Sequence, residues 1–114
     1  MLSIEELKNY GADVETGLKR CVNKESLYLR LVKTVPAHDG FSKLKEAIAA
    51  NDLEAGFQAA HGLKGVCANL ALTPISKPVE AITELLRAKE SADYAPLLKE
   101  IEDARSALEA ICKD

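Results

Sequence analysis

Residues 59–72 read Ala-Ala-His-Gly-Leu-Lys-Gly-Val-Cys-Ala-Asn-Leu-Ala-Leu. His61 is the residue in this run whose type can do chemistry: a neutral imidazole offers a nitrogen lone pair near neutral pH and can act as a nucleophile. Lys64 follows one helical turn later, close enough for its ammonium to reach a group attached to the ring. A phosphoryl group carries roughly two negative charges, which such a cation would partly neutralise. Gly62 comes directly after the histidine. Gly65 stands at i+4, the position from which a side chain would overhang the imidazole. A glycine inside a helix costs roughly 0.5–1 kcal/mol relative to alanine. Two of them beside one histidine predict that access to it matters, and Ala68 continues the cleared track.

The element that must position these residues is a helix over residues 52–71, with Asp52 as its cap. At about 100° per residue, Leu53, Phe57, Ala60, Leu63, Cys67 and Leu70 fall in one broad stripe, the face expected to be buried. His61 lies roughly 110° from the centre of that stripe. Gln58, Gly65 and Ala68 share its side, and Lys64 lies between it and the apolar face, where its stem can rest while the ammonium reaches out. Gly56, nearer the stripe, is expected to serve close helix packing.

The rest of the chain predicts an all-α protein. It has 114 residues, the size of one domain, with 47% hydrophobic and 29% charged residues and a net charge of -3. That balance, with no basic stripe, argues against nucleic-acid binding. No stretch approaches the roughly 20 apolar residues that span a bilayer, and the N-terminus does not read as a signal peptide. Cys21, Cys67 and Cys112 show no metal-ligand spacing and are expected to be reduced thiols at least partly buried, as in a cytoplasmic protein.

Ser3-x-x-Glu6 is a capping box opening a short helix that Gly11 ends. Asp13 caps a second, with Leu18 and Val22 expected inward. Asn23 caps a third, whose Leu27, Leu31 and Val35 recur at four-residue spacing with Tyr28 and Val32 beside them. Pro36 breaks the chain there. Asp39-Gly40 starts a helix carrying Phe41, Leu44, Ile48 and Ala49 inward. Thr73, as cap, and Pro74 start another, with Ile75, Val79, Ile82 and Leu86 inward. A polar connection at 91–93 leads to the last helix, with Leu97, Ile101, Ala104, Leu108 and Ile111 as its stripe and Pro96 in its first turn. Short loops between amphipathic helices predict antiparallel neighbours. The expectation is a single domain over 1–114: short helices in 1–37 packed on an antiparallel up-down four-helix bundle in 38–114.

The central run resembles the signature of histidine phosphotransfer (HPt) domains, approximately Ala-His-x-Leu-Lys-Gly-x-x-x-Asn-Leu-Gly. Ala60, His61, Leu63, Lys64, Gly65, Asn69 and Leu70 match it. The family's final glycine is Ala71 here, a departure at the far end of the helix. The resemblance implies that His61 is the phosphoacceptor, with Lys64 beside the phosphoryl group and Gly65 keeping the approach open. It gives Asn69 a structural role at the helix end. It also implies a relay between aspartates of response-regulator receiver domains in a two-component system, with a hybrid sensor kinase as a further partner.

The chain itself has no Gly-rich nucleotide loop, Walker motif or acidic cluster for a metal ion. It is therefore expected to be a relay intermediate and not an ATP-dependent kinase, with no cofactor of its own and Mg²⁺ arriving with the receiver. Gln58, Gly62 and Ala68 are the expected partner contacts. A free-standing, monomeric, cytoplasmic protein is the simplest setting. The alternative is a non-catalytic helical module that docks receivers or other signalling proteins without carrying phosphate. A metal-dependent hydrolase would need ligands that are not present; the one other histidine, His38 beside Asp39, is expected to be a loop or capping residue.

Overall fold

Three of the helices open on caps written into the sequence. The computed structural model describes residues 2–89 and 92–113, and these hold seven helices and no strand. Ser3 Oγ accepts the Glu6 N–H at 3.1 Å and opens α1 (Ile4–Tyr10), which Gly11 closes at φ +108°. Asp13 accepts the Thr16 N–H at 3.2 Å and opens α2 (Val14–Arg20). Asp52 accepts the Ala55 N–H at 3.0 Å and opens α5 (Leu53–Asn69).

Between α2 and α3 (Glu25–Thr34) the structure departs from expectation. Asn23 does not cap α3; Lys24 holds the cap position and offers no side-chain bond. Val22 and Asn23 instead both take left-handed backbone, φ 50° and 59°, and reverse the chain in a tight turn closed by the Asn23 N–H on the Leu18 carbonyl at 2.7 Å. Because α2 ends at Arg20, its helical face does not extend to Val22, which is 69% exposed; Leu18 is only half-buried.

On α3 the helical period holds but its phase is turned by about one residue. Tyr28, Val32 and Val35 are fully buried, whereas Leu31 is exposed. Tyr28 sets that phase. It packs on Gly17, where a Cβ would fall 2.5 Å from its Cε1, so the two helices meet this closely only without a side chain there.

In α4 (Gly40–Ala49) Phe41, Leu44 and Ala47 point inward, Ile48 is half-buried, and Ala49 is exposed instead of buried. Asp39 makes no side-chain cap. His38 Nδ1 takes that part, accepting the Gly40 N–H at 2.9 Å, while Asp39 pairs with Lys43 at 3.0 Å. The capping role expected of His38 is thus observed. Thr73 is the first residue of α6 (Thr73–Arg87) and not its cap, and Pro74 lies in the first turn. Ile75, Val79, Ile82 and Leu86 are buried as expected. Pro96 lies in the first turn of α7 (Ala95–Cys112), which buries Ile101, Ala104 and Leu108. Ser91, in the expected polar connection, lies outside the described residues.

Consecutive helices pack on one another: α5 lies against both α4 and α6, and α6 against α7. The short helix α1 sits on α7, with the Tyr10 hydroxyl donating to the Ala104 carbonyl at 2.8 Å. One apolar cluster runs through all seven helices, from Leu7 and Tyr28 through Leu44, Leu63 and Ile82 to Leu108. Cys21 and Cys67 are buried and Cys112 is half-buried; none forms a disulfide. Among the described residues no helix is long and apolar enough to cross a membrane.

The end of α5 is held from outside the helix. Ala71 adopts φ 55°, and the Leu72 N–H folds back onto the Cys67 carbonyl at 2.9 Å. The Tyr28 hydroxyl donates to the Leu70 carbonyl at 2.9 Å, the Asp13 N–H to the Ala71 carbonyl at 3.0 Å, and the Arg20 guanidinium to the Ala68 carbonyl. Asn69, given that task by resemblance, is exposed and makes no side-chain hydrogen bond among the described residues.

Candidate functional site

Residue 61 falls on the outer face of α5 because Gly56, Ala60, Leu63 and Cys67, which follow one another at spacings of three or four, are the buried ones. The wheel expected from sequence is observed in its essentials. Ala60, Leu63, Cys67 and Leu70 are buried and His61 is exposed. Lys64 is half-buried, and among the described residues no carboxylate lies within ion-pair distance of it.

Gly62 and Gly65 are both exposed, and a Cβ built on either would meet nothing within 4 Å. Neither glycine is demanded by packing. Gly40, by contrast, would place a Cβ 2.8 Å from Leu63 Cγ. Gly56 is buried between Ile48 and Leu86 and would bring a Cβ to 3.4 Å of the leucine, an ordinary contact. The fold thus leaves open space beside His61 that it has no need to leave.

The expected partner contacts separate into two places. Gln58 and Gly62 line a groove of about 580 Å³ between α4 and α5, walled also by Lys43, Glu46 and Asp52. Gln58 is steadied there by Glu54, to which its amide donates at 3.2 Å. Ala68 is half-buried at the other end of the cleared track, where Arg20 occupies its carbonyl.

Two contributors were not evident from sequence. The Phe57 ring stacks on the His61 imidazole, with centroids 5.7 Å apart and planes 22° from parallel. Arg87, on α6, lies over the same phenyl ring with Cζ 5.1 Å from its centroid. Phe57 reads as core in the helical stripe, yet it is only half-buried, and its i,i+4 spacing to His61 was the available signal. Arg87 is 26 residues away in sequence and gives no local sign.

Below the site, burial pushes the Cys67 thiol up to about 12, so it stays protonated and unreactive at neutral pH. Among the described residues no three His, Cys, Asp or Glu side chains converge to hold a metal ion.

The described residues are all-helical, and on α5 they place an exposed imidazole at His61, a half-buried lysine three residues on and open space at Gly62 and Gly65. The chain belongs to the Hpt domain family, whose model matches residues 31–111. Hpt domains take part in histidine phosphotransfer within phosphorelays, working with receiver domains and kinases and acting as carriers instead of kinases. No curated protein and no solved structure matches the chain. The family match begins within α3, so α1 and α2, with Arg20, precede it.

Proposed function

We propose that His61 is the phosphoacceptor of this Hpt domain and relays a phosphoryl group between aspartates of response-regulator receiver domains. The observation that carries this reading is the open space at Gly62 and Gly65 beside an exposed imidazole, in a fold that would admit side chains at both positions. A surface histidine with no task gives no reason to keep two helix-weakening glycines next to it.

The chemistry requires one lone pair and one cation from this chain. A ring nitrogen of His61 attacks the phosphorus of a receiver's aspartyl phosphate in line. The P–N bond forms as the P–O bond breaks, and that bond's electron pair remains on the departing aspartate carboxylate. Lys64 neutralises part of the charge on the transferred group. The aspartyl phosphate and its Mg²⁺ belong to the receiver, and the return step to a second receiver uses the same geometry. Gln58, Gly62 and Ala68 are proposed partner contacts.

The arrangement suited to this reading is an antiparallel up-down bundle of α4 to α7. Support for it comes from the three-residue connections at 50–52 and 70–72, and from the packing of each helix on the next. A monomer in the cytoplasm, with a receiver or hybrid kinase as donor, fits the acidic net charge and the thiols without disulfides.

The test is phosphotransfer from phosphorylated receiver domains. The unsubstituted protein is expected to take up acid-labile phosphate, and His61→Gln none. Uptake by His61→Gln would sink the assignment. Receiver binding that survives His61→Ala, with no phosphate on the unsubstituted protein, would establish a docking module instead.

A further inference from the structure

The imidazole of His61 makes no hydrogen bond among the described residues, and Gly62 and Gly65 leave the space beside it vacant. The ring stacked on it is Phe57, 5.7 Å away and inclined by 22°. This lies within the separation at which aromatic pairs attract in an offset stack. Phe57 is itself held on two sides. Its inner edge packs on the apolar core, and the Arg87 guanidinium lies over its ring, 5.1 Å from the centroid. Arg87 is in turn anchored to Glu84 at 3.3 Å.

We infer that Phe57 is a positioning residue for the nucleophile, fixing the plane in which the His61 lone pair can attack. The inference rests on the phosphoacceptor reading above and adds to it a part of the chain that makes that nucleophile ready. Lone pairs of an imidazole lie in the ring plane. Rotation about the last side-chain torsion of a histidine meets only a broad, shallow preference, so an unsupported ring would sweep its lone pair through many directions. Stacking on a ring that is itself clamped between the core and α6 confines attack to directions nearly parallel to the phenyl face. Phe57 thereby lowers the ordering needed at the moment of transfer, while the glycines keep the approach clear.

The experiment combines rates with a spectroscopic signature. Transfer from a phospho-receiver is measured for the unsubstituted protein, Phe57→Leu and Phe57→Tyr, and the His61 ring-proton chemical shifts are measured by NMR in each. Phe57→Leu is expected to slow transfer about tenfold and to move the His61 ring protons to the shifts of an unstacked histidine. Phe57→Tyr is expected to preserve both the rate and the ring-current shift. Full-rate transfer by Phe57→Leu overturns the inference, as does equal slowing by the two variants. Unstacked His61 shifts in the unsubstituted protein overturn it as well, and that measurement decides the matter even if Phe57→Leu fails to fold. Absence of phosphate uptake by the unsubstituted protein would instead refute the relay, with the ring shifts still deciding the stack.

Discussion

The Tyr28 hydroxyl donates to the Leu70 carbonyl at 2.9 Å, joining α3 to the end of the histidine-bearing helix. The bond is buried, and it sits beside two others from the N-terminal helices, Asp13 to Ala71 and Arg20 to Ala68. Tyr28→Phe keeps the ring against Gly17 and removes only the donor. It is expected to cost about 1–2 kcal/mol, the penalty of a buried carbonyl left without its partner. Urea unfolding of the two proteins measures this, and a loss near zero would show that the bond contributes nothing net.

Ala71 stands where the family motif has glycine, and its φ of 55° is the left-handed conformation that glycine adopts without strain. The departure therefore falls on a position where side-chain choice matters to stability, even though it lies away from His61. Ala71→Gly is expected to stabilise the protein by about 0.5–1 kcal/mol, relief of strain outweighing the extra freedom of the unfolded chain. Thermal unfolding should show a raised midpoint.

Gly65 invites a test in which stability and activity move in opposite directions. Because a Cβ there would meet nothing within 4 Å, Gly65→Ala is expected to stabilise α5 by roughly 0.5–1 kcal/mol. A longer side chain, as in Gly65→Gln, should overhang the imidazole and block receiver access, abolishing transfer from a phospho-receiver while the protein stays folded. Unfolding curves and transfer rates on the same preparations check both halves. Undiminished transfer by Gly65→Gln would remove the access role from this glycine.

Cys67 gives the protein an alkaline limit. Burial raises its thiol from 9.0 to about 12. Between these values the unfolded chain has lost the proton and the folded chain retains it. Stability therefore falls as pH rises from 9.0 towards 12, and this contribution is fully present below 9.0. Tyr28, also raised by burial to about 12, acts in the same direction from 10.0 upward. Denaturant midpoints measured from pH 7 to pH 11 should decline above 9, and Cys67→Ala should flatten part of the decline. In the folded protein at pH 8, Cys67 should resist alkylation.

Local chemistry was legible where a residue acts on its own neighbours in the chain. The caps at Ser3, Asp13 and Asp52 form because each oxygen needs only an N–H three residues away, and the exposure of His61 follows from the period of a single helix. The phase of α3 was not legible. Leu31 and Tyr28 have similar claims to burial, and the choice fell to Tyr28 through Gly17 and Leu70, neither of them near it in sequence. Val22 failed as an inward residue for a related reason: the chain reverses there, and a helical wheel cannot see a reversal.

The sequence by itself determined the seven-helix pattern in outline, the outward face of His61 and the identity of the residues beside it, because helical periodicity and capping are short-range. Only the tertiary structure decided that Gly62 and Gly65 are free of packing demands, that Arg87 reaches from α6 to cover Phe57, and that the N-terminal helices fasten the end of α5. Vacant space and contacts between helices are properties of how elements dock, and docking depends on side chains that lie far apart along the chain.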